Sequence, residues 1–185
     1  MKHLPNILSC IRAVLAVAVL VLMILLAPLN NYLLFLFCPG LLFLIGSITD
    51  TLDGMIARKK NLVSDFGKFI DPIADKILTT FAMLGFLFID ADKGGYVLLI
   101  SIAVTLLREF AIASLRMMAA KNGTVIAADW AGKIKTVLQM VAIGGYYFCF
   151  NTPYLFIAQI LMTAATVMTI VSGTLYIKNY FKVAK

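Results

Sequence analysis

The stretch ILSCIRAVLAVAVLVLMILLA, residues 7–27, is apolar at almost every position and contains a single charged residue, Arg12. An α-helix needs about 20 predominantly apolar residues to cross the hydrocarbon core of a bilayer. A cleavable signal peptide has a shorter apolar core followed by a small-residue cleavage site, and neither is found here. The stretch therefore predicts a first membrane-spanning helix, with the bilayer as its solvent.

Five further apolar segments follow, separated by turn-forming or charged residues. They cover residues 32–57, 73–89, 96–119, 135–150 (with a start near Ala131) and 154–177. Pro39 and Gly40 fall inside the second segment, where they predict a bend in the helix rather than its end. The sequence thus predicts an all-α integral membrane protein with six transmembrane helices in a single domain, residues 1–185.

Composition and charge agree with a membrane protein. The chain is 62% hydrophobic and 14% charged, whereas soluble domains are about half apolar and a quarter charged. A net charge of +7 would suit a nucleic-acid-binding protein, but in so apolar a chain Lys and Arg set the topology and contact anionic lipids or substrates. Of the 16 Lys and Arg residues, only Lys93 falls at the opposite end of the predicted bundle. The positive-inside rule therefore predicts that the protein lies in the cell membrane with both termini in the cytoplasm. Since the positive charge is explained in this way, we expect no nucleic-acid partner.

Four acidic residues are concentrated where the second predicted helix ends and the third begins: Asp50, Asp53, Asp71 and Asp75. The first two are three residues apart and the last two are four apart, so each pair shares one face of its helix. A short loop joins the two helices, which are therefore antiparallel neighbours. We expect the four carboxylates to converge near the cytoplasmic membrane surface.

Such a cluster needs compensation, because one charged side chain at the bilayer centre costs about 2.5–3.5 kcal/mol even on lenient scales. A water-filled cavity or bound divalent cations would supply it, and oxygen ligands next to phosphate chemistry favour Mg²⁺ or Mn²⁺. Three alternatives stay open: a charged loop that contains the aspartates, a role of Gly54 and Ala57 in close helix packing alone, and an ion channel or carrier.

The stretch from Asp50 to Asp75 resembles the signature of the CDP-alcohol phosphatidyltransferase family, D-x2-D-G-x2-A-R-x8-G-x3-D-x3-D. All of its defined positions are filled at the required spacing, by Asp50, Asp53, Gly54, Ala57, Arg58, Gly67, Asp71 and Asp75. The six-helix fold of that family, with a site facing the cytoplasm, agrees with the topology derived above.

The resemblance implies a reaction and roles for these residues. The phosphatidyl group of CDP-diacylglycerol would pass to a small alcohol, with release of CMP. Two Mg²⁺ or Mn²⁺ ions would be held by the four aspartates, and Asp75 would also be the catalytic base on the acceptor hydroxyl. The implied CDP-binding residues are Asp50, Asp53, Gly54, Ala57, Arg58 and Gly67. The resemblance also implies a homodimer.

Three looser stretches resemble the bacterial members of this family that use glycerol 3-phosphate as the acceptor. They are residues 4–9 with Arg12, residues 107–110 with 115–116, and residues 131–136 with Gln139. An anionic acceptor that approaches an anionic nucleotide needs fixed positive charge in its pocket. The residues predicted to bind the acceptor phosphate are Arg108, Arg116, Lys133 and Lys135.

Alternatives to this assignment come from the same residues. Arg108 and Arg116 lie about two turns apart on one face of the fourth helix. The alternative for Arg108 is an ion pair with Glu109 or with one of the aspartates. The alternative for Lys133 and Lys135 is an ordinary positive flank. Inositol phosphate, serine and phosphatidylglycerol remain alternative acceptors.

Overall fold

The computed structural model describes residues 4–29, 31–49, 65–89, 95–121, 130–150 and 152–183. Within these ranges the long elements are all helices and no strand is present. Helix α1 is Leu4–Leu26, α2 is residues 32–49, α3 is Asp65–Ile89, α4 is Gly95–Lys121, α5 is Trp130–Cys149 and α6 is Leu155–Val183. Each predicted segment falls on one of these helices, so the all-α prediction is confirmed for the described residues.

The start of α3 differs from the prediction. The helix begins at Asp65 rather than at Ile73. Phe66, Phe69, Ile70 and Ile73 recur at the three- and four-residue spacing of an amphipathic helix. Polar residues lie between them and lower the local hydropathy. A prediction based on continuous apolar character therefore misses the first turns of this helix.

Helix α2 passes through Pro39 without ending, as predicted. One α-helical turn, Tyr32–Phe35, is followed by a π-helical turn, Leu36–Gly40, and α-helix resumes over residues 41–49. Proline lacks an N–H and its ring clashes with the carbonyl one turn earlier, so a wider turn accommodates it. A Cβ at Gly40 would lie 3.3 Å from Cδ1 of Tyr147 on α5, so the missing side chain lets α5 pack closely here.

All six helices contribute buried side chains to the core. Met23 of α1, Phe86 of α3, Tyr147 of α5 and Met162 of α6 are all buried in it. The rings of Phe86 and Tyr147 pack edge to face with centroids 4.6 Å apart, a favourable aromatic geometry. A Cβ at Gly85 would fall 2.5 Å from Sδ of Met23. Helices α1 and α3 therefore approach at a distance that a larger residue would prevent.

The outer surface of the bundle is apolar. Large exposed side chains include Val14, Leu25, Phe110, Phe148 and Phe181. Three helical segments within the described residues are long and apolar enough to cross a membrane, Cys10–Leu29, Gly95–Lys121 and Leu155–Lys182. Large apolar surfaces of this kind are stable when covered by lipid, so the chain is a helical membrane protein.

Two other apolar segments are shorter, Phe37–Thr49 and Lys76–Ile89. At about 1.5 Å per residue, each is shorter than the roughly 30 Å of hydrocarbon that a perpendicular helix must cross. Helix α5 begins with the polar sequence around Lys133 and Lys135. The count of six spans and the cytoplasmic side of the termini therefore stay predictions.

Candidate active site

Most of the predicted metal- and CDP-binding residues lie outside the described residues. These are Asp50, Asp53, Gly54, Ala57 and Arg58. Within the part of the chain that the structure describes, no three His, Cys, Asp or Glu residues are grouped so as to hold a metal ion. The assignment of these residues continues to rest on the spacing of the sequence.

The remaining signature residues, Gly67, Asp71 and Asp75, have their backbone in α3. Asp71 and Asp75 are therefore one helical turn apart and occupy the same face of a regular helix. The prediction of a helix across this pair is confirmed. Carboxylates at this spacing form a donor set suited to a divalent cation that prefers oxygen ligands.

One carboxylate and three cations meet between α3, α4 and α5. Glu109 Oε1 accepts a hydrogen bond from Arg108 Nη1 and another from Lys135 Nζ, each 2.9 Å long. Lys76 Nζ of α3 lies 3.9 Å from Glu109 Oε2. We call these four side chains the Glu109 cluster. Three positive groups and one negative group leave it with excess positive charge.

Burial is uneven across the Glu109 cluster. The side chain of Lys76 is 35% exposed, that of Arg108 is 16% exposed and that of Lys135 is 2% exposed. A buried charge is tolerated only when it is paired and hydrogen-bonded, and Glu109 supplies that partner to Lys135. The cluster is therefore closed at Lys135 and accessible from the side of Lys76 and Arg108.

The side chain of Arg108 runs between two glycines on neighbouring helices. A Cβ at Gly173 of α6 would lie 3.2 Å from Arg108 Cγ, and a Cβ at Gly132 of α5 would lie 3.3 Å from Arg108 Nη2. The Arg108 Nε is buried and has no hydrogen-bond partner among the described residues. Packing thus fixes the guanidinium while one of its donors is unused.

Arg116 and Lys133, the other two residues predicted to bind the acceptor phosphate, lie apart from the cluster. Both are exposed, and Cζ of Arg116 is 5.8 Å from the centre of the Tyr176 ring on α6, a cation–π distance. Arg116 is about 12 Å further along α4 than Arg108. The structure therefore brings together Arg108 and Lys135 but not all four residues.

Three charged residues are buried or make contacts that their positions in the sequence do not indicate. The charge pattern alone places Lys76 and Arg12 among the basic residues at one end of the predicted bundle, and it predicts Glu109 only as an alternative partner of Arg108. That ion pair is present, but Lys135 shares its carboxylate oxygen. Arg12 is only 1% exposed. A charge inside an apolar segment was the available signal for Arg12, and Glu109 is the single acidic residue of α4.

Known proteins match both the sequence and the fold. Residues 2–171 match the CDP-alcohol phosphatidyltransferase family. The CDP-diacylglycerol–glycerol-3-phosphate 3-phosphatidyltransferase of Bacillus subtilis is 37% identical over 150 residues, covering 79% of this chain and 75% of the relative. The Rickettsia typhi protein with the same name is 37% identical over 189 residues, covering 100% of this chain and 98% of the relative.

The fold matches a solved structure at much lower sequence identity. The phosphatidylinositol phosphate synthase of Mycobacterium tuberculosis in its apo form has a TM-score of 0.67 and 17% identity, covering 96% of this chain and 88% of the other. Its form with CDP-DAG bound has a TM-score of 0.65, and the match covers 86% of that chain. At this identity the similarity concerns the fold alone.

Proposed function

The chain belongs to the CDP-alcohol phosphatidyltransferase family, and from this premise we propose that it transfers the phosphatidyl group of CDP-diacylglycerol to glycerol 3-phosphate. The observation that supports an anionic acceptor is the Glu109 cluster, in which three cations surround one carboxylate. One of them, Lys76, follows the proposed base Asp75 directly in α3. Relatives named for the same acceptor support this assignment.

The proposed reaction needs one bond to form and one to break. The acceptor hydroxyl oxygen attacks the phosphorus that bears diacylglycerol, the phosphoanhydride bond breaks, and CMP leaves. Asp75 would take the hydroxyl proton, and positioning of the reactants would supply much of the rate, since a carboxylate is a weak base. Asp50, Asp53, Asp71 and Asp75 would hold two Mg²⁺ or Mn²⁺ ions, which when bound neutralise the diphosphate and stabilise the leaving oxygen.

Two groups of residues form the proposed binding sites, one for CDP and one for the acceptor phosphate. Asp50, Asp53, Gly54, Ala57, Arg58 and Gly67 form the proposed CDP site. Arg108 binds the acceptor phosphate through paired N–H donors, and Lys135 and Lys76 add positive charge. Arg116 and Lys133 act from greater distance, by attracting the anionic acceptor to the site.

The proposed topology places the active site at the cytoplasmic face of the cell membrane. In this topology the chain crosses the membrane six times and both termini are cytoplasmic. Its basis is the gathering of Lys and Arg residues at one end of the predicted bundle. Residues 1–185 form one domain in a homodimer.

Labelling of the Lys185→Cys variant tests the orientation. A thiol reagent that cannot cross the membrane should react with this cysteine in inverted vesicles and not in intact cells. Cross-linking in the membrane tests the dimer.

Release of CMP tests the proposed reaction. The detergent-purified protein is given CDP-diacylglycerol and Mg²⁺, with glycerol 3-phosphate, serine, inositol 1-phosphate or phosphatidylglycerol offered separately. We expect release with glycerol 3-phosphate alone, and its loss when EDTA removes the metal. Release with a different acceptor would retain the reaction class and overturn the acceptor. No release from folded, metal-loaded protein with any acceptor would favour the channel or carrier.

The glycine that packs on Arg108 gives a second test. We expect Gly173→Ala to lower kcat/KM for glycerol 3-phosphate about tenfold, because the new methyl group displaces Arg108 by a few tenths of an ångström and precise placement contributes strongly to rate. The matched control is Gly144→Ala, since a Cβ there meets no atom within 4 Å. Equal activity of the two variants would show that the position of Arg108 is unimportant.

A further inference from the structure

Glu109 makes an unusual set of contacts for a simple ion pair. Its Oε1 accepts hydrogen bonds from cations on two different helices, Arg108 of α4 and Lys135 of α5. Consecutive helical residues do not normally face each other, so Arg108 must fold back to reach its neighbour. Glu109 therefore fixes where the guanidinium and the ammonium lie relative to one another.

Charge shows why a carboxylate is needed between them. Arg108 Nη1 and Lys135 Nζ are each 2.9 Å from the same oxygen atom, so the two nitrogens are no farther apart than twice that distance. Two unshielded cations this close in a half-buried site repel strongly. With Glu109 in place they remain close together, and the four side chains of the Glu109 cluster carry a formal charge of +2.

That charge matches the acceptor. A phosphate monoester carries a charge of about −1.5 to −2 at neutral pH. The sum of charges in the Glu109 cluster is therefore opposite in sign to that of the acceptor phosphate. Neutral Gln in place of Glu109 would raise the cluster to +3 and replace the charged acceptor that the two cations share with a neutral amide oxygen.

We propose that Glu109 is a positioning residue that holds Arg108 and Lys135 at the spacing the acceptor phosphate requires. It acts through these two cations and does not touch the reacting atoms. This inference rests on the proposed function, because it specifies how the acceptor site of that reaction is built. It predicts that loss of the Glu109 carboxylate affects the acceptor and spares the lipid nucleotide.

The test is Glu109→Gln, with KM measured for each substrate. We expect the KM for glycerol 3-phosphate to rise about tenfold, the typical effect of losing a charge-assisted hydrogen bond, and the KM for CDP-diacylglycerol to change less than about twofold by the same reasoning. Binding without turnover is read separately, as the shift in melting temperature that glycerol 3-phosphate gives the protein. This shift should be smaller in the variant.

A double-mutant comparison separates positioning from structural damage. Because Glu109 acts partly through Lys135, the rise in acceptor KM that Glu109→Gln causes should be smaller when Lys135→Met is already present than in the unaltered protein. The matched control is Ser101→Ala, which removes the buried hydrogen bond between Ser101 Oγ and Thr166 Oγ1, 2.6 Å long, elsewhere on α4. It should lower the melting temperature and leave the acceptor KM unchanged.

The two proposals can fail separately. Absence of CMP release by the unaltered protein would contradict the proposed function. Normal release with an unchanged acceptor KM in Glu109→Gln, or equal effects on both substrates, would overturn the role of Glu109 alone. If Glu109→Gln does not fold, Glu109→Asp gives the same comparison. Aspartate keeps the charge but shortens the reach, and we expect an acceptor KM about threefold higher.

Discussion

Asp75→Asn should lower turnover by about three orders of magnitude, within the range that a lost general base produces. Asparagine keeps the size of the side chain and one coordinating oxygen, but it cannot accept the proton of the acceptor hydroxyl. Binding of CDP-diacylglycerol should remain largely intact, because three of the four proposed metal ligands and the other CDP-binding residues are unchanged. CMP release gives the turnover, and stabilisation of the protein by CDP-diacylglycerol reports the binding.

The control for this variant is Asp65→Asn, which removes a carboxylate from the first turn of the same helix, outside the signature. It should leave turnover near that of the unaltered protein. Near-normal turnover of Asp75→Asn would remove Asp75 as the base. Loss of CDP-diacylglycerol binding together with turnover would instead assign Asp75 to substrate or metal binding alone.

Arg108→Ala should lower kcat/KM for glycerol 3-phosphate about a hundredfold, because truncating one partner of a partly buried, hydrogen-bonded charge pair costs about 2–5 kcal/mol. The guanidinium is held between Gly132 and Gly173, and an alanine at position 108 has no donor with which to bind the phosphate. The KM for CDP-diacylglycerol should change little. Initial rates over a range of each substrate separate the two effects.

Arg116→Ala is the comparison for that result. Arg116 was predicted from sequence to bind the same phosphate, and the structure places it at the surface against Tyr176. A solvent-exposed charge acts weakly, so we expect a rise in the acceptor KM of only about threefold that high salt reduces. A larger loss in Arg116→Ala than in Arg108→Ala would move the phosphate site outward along α4.

The helices were predictable because lipid imposes a simple requirement on sequence. A segment surrounded by hydrocarbon must satisfy its backbone within itself and be apolar outside, and α1, α4 and α6 meet that requirement along most of their length. The start of α3 was less predictable, since its first turns alternate polar and apolar residues. The prediction that the second helix continues past Pro39 is confirmed, because the missing N–H alters a helix locally while the packing on both sides continues.

The charged site was predictable only in part. Arg108 was identified because a charge within an apolar segment requires a partner or a function. The sequence does not distinguish Lys133 from Lys135. In the structure Lys133 is exposed and Lys135 is buried. Glu109 on α4 contacts Lys76 on α3 and Lys135 on α5. These contacts depend on how the three helices pack, and the periodicity of a single helix does not predict that packing.

The π-helical turn Leu36–Gly40 also controls an angle. A π turn holds one residue more than an α turn, and each added residue turns a helix by about 100°. Every side chain after Gly40 on α2 therefore points in a direction that this extra residue has set. The ring of Phe43, for example, lies with its centroid 5.7 Å from that of Tyr147 on α5. A single-residue deletion in this turn would act as a rotation of residues 41–49, and would turn Phe43 away from Tyr147 without changing either one.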